Sequence, residues 1–388
     1  MDFTQNESER ELAALSRSVL AGRLTPERLR AADADGFDPA LWADLAGAGV
    51  LAAALPEPLG GAGLGLLARC AVLTEIGRAV APVPYLDSIV LGASALARFG
   101  TPDQRRRWAA PAGRGELVLT AALAEEDGDD PRVPSASAEP AKGDGGWLLS
   151  GVKTTVSAAP LAALMLVPAA TAQGITVFLV APGDRGVTVQ PQRMTDGDAA
   201  GHLELAGVEL PDDRVLGSPV TRSEVTGWLV AHGTVGLCAQ QFGVLERALE
   251  LTAEYAKNRT QFGRPIGSFQ AVAQRLADAY IDVEAVRLTM WQAAWRLSAG
   301  LPCDTELATA KFWAADAGHR VAHTAVHVHG GVGIDTDHPL HRYFVAAKRL
   351  EFALGGATTQ LRRIGTVLAR QTVSADDIER VGRPAKPT

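Results

Sequence analysis

The sequence predicts an α+β chain, mainly α, in three consecutive parts. These are an N-terminal helical domain over 1–115, a small antiparallel β-domain (barrel or sandwich) over 116–217, and a C-terminal four-helix bundle over 218–388. Three observations predict it. Short helix signals fill the first part, β-rich runs separated by Gly, Asp and Pro fill the second, and long amphipathic stretches fill the third. No helical stretch lies between the β-rich runs, so nothing is available to cross over parallel strands.

In the first part, Thr101-Pro102-Asp103-Gln104 places a capping hydroxyl, a proline at the first helical position and a glutamine at the third, which starts a helix. In the second, the runs at 147–157, 161–170, 174–182 and 186–191 read as strands. In the third, Val235, Cys238, Phe242, Leu245 and Leu249 alternate steps of three and four and share one helix face. Two glycines and a proline in NRTQFGRPIGS (258–268) end that helix. Ser268 is expected to cap the next, through about 298. A third runs from about 304 to 329 and stops at Gly330-Gly331; a fourth follows His338-Pro339. Ser374-Ala375-Asp376-Asp377 offers a capping box for a last turn.

At 47% hydrophobic and 21% charged, the chain has the composition of a globular protein with a large core. A net charge of −7 leaves no basic surface for nucleic acid. No run approaches the roughly 20 apolar residues of a membrane span, and the polar, acidic start lacks the form of a secretion signal. Cys70, Cys238 and Cys303 are odd in number and far apart. They point to reduced thiols in a cytoplasm, and without a CxxC pair no metal site is expected.

The glycine cluster Gly60-Gly61-Ala62-Gly63-Leu64-Gly65 follows Pro56 and Pro58 instead of a strand, so it reads as an inter-helix loop, not a dinucleotide loop. The segment from Tyr255 to Gln270 is more informative. There Arg259, Gln261 and Phe262 converge on a tight Gly/Pro loop between two long helices. The guanidinium can fork onto a diphosphate, and the ring offers a flat face to a heteroaromatic system.

YAKNRTQFGRPIGSFQ (255–270) resembles the loop with which acyl-CoA dehydrogenases hold the ADP half of FAD, often the FAD of a neighbouring subunit. The run from His327 through Gly330-Gly331 to Gly333 resembles the family's Q-x-x-G-G-x-G stretch, with His327 where glutamine is usual. ALAEEDGDDP (122–131) is similar to the segment near the flavin pyrimidine, with Ala124 in place of threonine. GVKTTVSAA (151–159) is similar to the strand covering the flavin, with Thr155 in place of the aromatic and Ser157 keeping a hydroxyl for the ring. The resemblance covers nearly the whole chain. It implies FAD as cofactor and an acyl-CoA thioester as substrate, with α,β-dehydrogenation as the reaction and an electron acceptor such as electron-transfer flavoprotein. The implied cofactor residues are Glu125, Thr155, Val156, Ser157, Arg259, Gln261, Phe262, Gln270, His327, Gly330 and Gly331.

Removing a proton from Cα needs a carboxylate over that carbon. The family's usual glutamate position falls on Gly355, in FALGGATTQ, and its alternative position on the long helix falls on Gly233, followed by Thr234. Glu351, one turn before Gly355, and His232, beside Gly233, are the nearest groups able to act as a base. Some bacterial members resemble heteromers in which one chain carries the base and a related chain lacks it. The sequence is expected to be such a base-lacking subunit; the alternative is a self-sufficient homo-oligomer, or a related flavin oxidase, with a non-standard base.

Overall fold

The computed structural model describes residues 5–126, 128, 130–141 and 145–372. The capping box in 374–377 lies outside them. Helix α1 (Glu7–Arg23) opens on a reciprocal cap, in which Asn6 accepts from the Glu9 amide at 2.8 Å and its own amide donates back to the Glu9 carboxylate at 3.1 Å. Short helices α2 (Pro26–Ala32) and α3 (Pro39–Gly47) follow, and then α4 (Gly65–Ala79). Gly60, Gly61 and Gly63 lie in the loop before α4, and Gly65 is the first residue of that helix. A π-helical segment, Leu86–Ala93, continues into α5 (Ser94–Phe99). Thr101 and Gln104 cap α6 (Pro102–Gln104) reciprocally, which then passes through a π turn into α7 (Ala110–Gly113).

The strands are β1 (Leu119–Ala121), β2 (Ser137–Pro140), β3 (Trp147–Ser157), β4 (Leu164–Thr171), β5 (Gly174–Val180), β6 (Val187–Arg193), β7 (Ala199–Leu210) and β8 (Val215–Leu216). They form one sheet in the order β6-β7-β3-β2-β4-β5-β8, with β1 beside β4. Most pairings are antiparallel, as expected. However, β1 and β2 each pair with β4 in parallel, against the expectation of a purely antiparallel unit. Both parallel partners come from outside the β-rich runs. β1 is three residues arriving directly from the N-terminal helices, and its connection to β4 runs through residues 122–163, which include β2 and β3. The β3–β7 register slips twice. The slip between Lys153 and Val156 is a bulge that holds Thr155 at φ +47°.

The last part contains α8 (Arg222–Asn258), α9 (Gln270–Ser298), α10 (Asp304–His329), α11 (Leu340–Phe352) and α12 (Ala357–Thr372). Between α8 and α9, residues 259–265 form a two-stranded hairpin of β9 (Thr260–Gln261) and β10 (Arg264–Pro265). The expected Ser268 cap is not made: its hydroxyl donates to the Pro265 carbonyl at 2.7 Å, and Phe269 precedes α9 without a side-chain cap. The tight reverse turn consumes that hydroxyl before the helix begins.

α4 crosses α8 on glycines. A Cβ on Gly77 would lie 2.1 Å from the Gln240 carbonyl oxygen, and one on Gly243 would lie 2.0 Å from that of Thr74. Backbone thus meets backbone there, and Val235, Cys238, Phe242 and Leu245 pack into the core along the expected face of α8. A second core joins the π segment and α5 to β1, β4, β5 and the first turns of α8. This junction sets helices over one face of the sheet and leaves a cavity between them. No helix among the described residues is long and apolar enough to cross a membrane.

Candidate functional site

The cavity measures about 510 Å³ and lies between the sheet and the helices α4, α8 and α11 with the π segment. Leu73, Ile76, Leu86, Leu91, Leu237 and Leu354 make most of its wall apolar. One end is polar. The Ser157 hydroxyl lies 3.1 Å from an Asp87 oxygen and 3.4 Å from an Asp198 oxygen. Arg349, from α11, is ion-paired with Asp196 and lies 3.4 Å from Asp198. Burial pushes the Asp198 carboxyl up to about 6, helped by Asp196 and Asp87 against Arg349. Burial raises Asp87 as well, against Arg349 and Ser157. Burial works against the Arg349 charge, but the three aspartates outweigh it and raise its pKa. The sequence reading missed Asp87, Asp198 and Arg349 as site residues. The one available signal was Asp87 itself, a lone carboxylate inside the apolar run YLDSIVLGA.

Of the residues expected on the flavin ring, Thr155, Val156 and Ser157 line this cavity. The Thr155 amide donates to the Gln192 side chain at 2.8 Å, and the Ser157 hydroxyl is engaged by Asp87. Glu125 is placed elsewhere: it pairs with Lys153 at 2.5 Å and accepts from the amides of Ser135 and Ala136 at 2.5 and 3.1 Å. Burial raises its carboxyl, but Lys153 and these amides outweigh burial and hold it below the usual range.

Gly233 lines the cavity, where an added Cβ would meet Leu354 at 3.1 Å and Leu91 at 3.5 Å. Gly355 sits beside Leu354 at φ +95°, with its carbonyl accepting from Gln360 at 3.0 Å. Neither candidate base lines the cavity. Glu351 pairs with Lys348 at 2.5 Å and approaches His319 at 3.5 Å. His232 stacks on Trp228 with 3.7 Å between centroids, and its Nδ1 contacts the Trp228 carbonyl at 2.9 Å. Burial, with Arg69 adding to it, drives the His232 pKa down to about 3, so the ring stays neutral and is a poor base.

The remaining predicted residues gather at the far end of α8. Phe262 (φ +54°) and Gly263 (φ +78°) make the tip of the hairpin, the backbone signature of a type I′ turn. Phe262 is 92% exposed, an unusual position for a large ring held at positive φ. The Arg259 side chain has no hydrogen bond or ion pair among the described residues, and Arg264 lies 4.1 Å over the Phe269 ring. Gln261 donates only to the carbonyl of Thr260, and Gln270 opens α9. Tyr255 stacks on His329 at 4.2 Å, which sets the hairpin beside the end of α10. There His327, Gly330 and Gly331 are exposed, and a Cβ on either glycine would meet nothing within 4 Å. The arrangement is an open cradle: backbone without side chains, a free guanidinium and an uncovered aromatic face. It fits a diphosphate joined to a heteroaromatic base.

The chain matches three family descriptions in order: acyl-CoA dehydrogenase N-terminal domain over residues 6–116, middle domain over 120–208 and C-terminal domain over 224–369. It is 51% identical to acyl-CoA dehydrogenase FadE27 of Mycobacterium tuberculosis, covering 95% of this chain and 99% of that protein. Among solved structures, a chain of the ChsE4-ChsE5 complex from Mycobacterium tuberculosis superposes with a TM-score of 0.90 at 50% identity, covering 99% of this chain and 100% of the other. A chain of the Tcur3481-Tcur3483 steroid ACAD gives 0.89 at 41%, covering 95% and 99%. With all three parts matched in order and a relative sharing half its residues over almost its full length, this chain belongs to the acyl-CoA dehydrogenase family of oxidoreductases.

Proposed function

We propose that this chain is the base-lacking subunit of a heteromeric, FAD-dependent acyl-CoA dehydrogenase, and that its cradle holds the ADP half of a flavin whose ring lies in a related partner chain. One observation carries this reading. Gly233, at the cavity, and Asn258, next to the cradle, lie on one unbroken helix. The 25 residues between them, at about 1.5 Å each, separate the two by roughly 37 Å. Gln240, the cavity residue of α8 nearest the cradle, is still 18 residues or roughly 27 Å from Asn258, a span that favours a nucleotide on the cradle extending into another chain. The ChsE4-ChsE5 complex and the paired Tcur3481-Tcur3483 steroid ACAD support a two-chain assembly, and the latter, as a steroid ACAD, supports a bulky acyl group.

In such an assembly bound FAD would supply the hydride acceptor for Cβ of the acyl thioester, and an acceptor such as electron-transfer flavoprotein would reoxidise it. The residues of this chain bind and orient. Arg259 neutralises the diphosphate, Phe262 stacks on the adenine, and Gly330-Gly331 lets backbone approach closely. The proton leaves Cα to a carboxylate of the partner, since Gly233 and Gly355 supply none, His232 and Glu351 lie off the cavity, and the cavity carboxylates Asp87 and Asp198 are held by Ser157 and Arg349.

The test is co-expression with a related chain that carries a glutamate at either base position. The pair is expected to retain flavin and oxidise acyl-CoA, and the chain purified alone to do neither. Arg259→Ala with Phe262→Ala should weaken FAD retention by the pair about a hundredfold, as expected for one charge-assisted contact and one stacking contact. A chain that turns over acyl-CoA without a partner would overturn the proposal.

A further inference from the structure

We infer that the internal cavity of this chain is a binding site for an uncharged, largely apolar ligand bearing a hydroxyl or carbonyl oxygen, and not for a flavin ring. The inference stands apart from the question of which chain supplies the base. At about 510 Å³ the cavity has the size of a small-molecule site, with leucine and isoleucine walls and a few convergent polar groups at one end.

Those polar groups do not suit a flavin. The two donors that strand β3 would turn toward a ring are engaged within the chain, the Thr155 amide by Gln192 and the Ser157 hydroxyl by Asp87. Arg349, ion-paired with Asp196 and 3.4 Å from Asp198, is one cation against the three carboxylates Asp87, Asp196 and Asp198, and Lys348, which also lines the cavity, is taken up by Glu351. The end wall therefore carries net negative charge, and a reduced flavin, which gains negative charge on its ring, is repelled there.

The same groups suit a neutral oxygen. Two carboxyls joined through one hydroxyl favour holding a proton between them, because like charges this close do not both ionise readily in an apolar cavity. Such a pair can donate to a carbonyl or accept from a hydroxyl. The Asp198 side chain retains 28% of its exposure in a wall of this cavity, and Asp87 accepts only the Ser157 bond among the described residues. Gly233 contributes no side chain to the cavity wall, where even a Cβ would press on Leu354 at 3.1 Å and touch Leu91 at 3.5 Å.

The experiment is a fluorescence titration of the full chain, alone and with its partner, with Nile red, an uncharged polycyclic dye carrying a ring carbonyl. Saturable binding with enhanced emission is expected. Gly233→Leu, which fills the cavity, should weaken it at least tenfold. Asp87→Ala with Asp198→Ala, which removes the donors and acceptors of the polar end, should weaken it about tenfold, the equivalent of one buried hydrogen bond. Circular dichroism of each variant reports whether the fold is kept. If Gly233→Leu misfolds, Leu237→Trp, which blocks the same wall, replaces it. Absence of saturable binding, equal binding by folded cavity-filled variants, or competitive displacement by riboflavin would each overturn the inference. The Proposed function is read from flavin retention and turnover by the pair, so the two fail separately.

Discussion

Glu125→Gln separates a structural from a cofactor role for the carboxylate that the family resemblance placed at the flavin. Lys153 is 1% exposed at its side chain and Glu125 6%, so the ammonium has no access to water once its partner is neutral. Glutamine keeps one acceptor oxygen, which in place of Oε1 still accepts from the Ala136 amide, while its NH2 in place of Oε2 leaves the Ser135 amide without an acceptor; the larger damage is the uncompensated lysine. Breaking a buried pair from one side costs about 3–5 kcal/mol. For a chain of this size each kcal/mol lowers the melting midpoint by roughly 2 °C, so a fall of about 6–10 °C is expected by thermal circular dichroism at pH 7. The pH dependence has a definite sign. A carboxyl held low in the folded state contributes stability above its ordinary pKa and loses it as pH falls through the depressed value, so the gap between wild type and variant should close as pH falls through that value. Adding Lys153→Met should restore most of the lost stability, because an apolar chain tolerates the dry site that an ammonium does not. A variant that melts like wild type but no longer supports flavin retention by the assembled pair would refute this reasoning and return Glu125 to the cofactor.

Gly243→Ala places a methyl 2.0 Å from the Thr74 carbonyl oxygen, so α4 and α8 must separate; a loss of about 1–3 kcal/mol in urea denaturation is expected, and an unchanged midpoint would show slack at the crossing. Asp198→Asn acts through pH. Raised from the ordinary 3.8 to about 6, this carboxyl contributes stability below pH 4 that is lost as pH rises through 6. At about 1.4 kcal/mol per pH unit the cost at pH 7 is on the order of 2–3 kcal/mol, so the variant should melt above wild type at pH 7–8 and not at pH 4. A variant that melts below wild type at both pH values would mean that the carboxylate, not the acid, is the stable form.

The long helices and their caps were legible because their causes are local. The period of Val235, Cys238, Phe242 and Leu245 and the reciprocal cap of Thr101 with Gln104 involve neighbours within a few turns. The Arg259–Phe262 loop and the empty positions at Gly233 and Gly355 could also be read directly, since each depends on which side chain is present and not on where it points. Ser268 misled because two local bonds competed for one hydroxyl, and the Pro265 carbonyl won.

Other features depend on contacts between distant segments. The parallel pairing of β1 with β4 joins residues 45 positions apart through a three-residue strand too short to show a period. Asp87 and Ser157 are 70 positions apart, and Ser157 and Asp198 41, so no pattern along the chain announces their contact. The roughly 37 Å between Gly233 and the cradle exists only because α8 runs unbroken. Sequence carries which groups are present and how each local turn is closed. The packing of α8 and α11 against the sheet decides which of those groups face one another, because burial and charge act through space between segments that the chain order keeps apart.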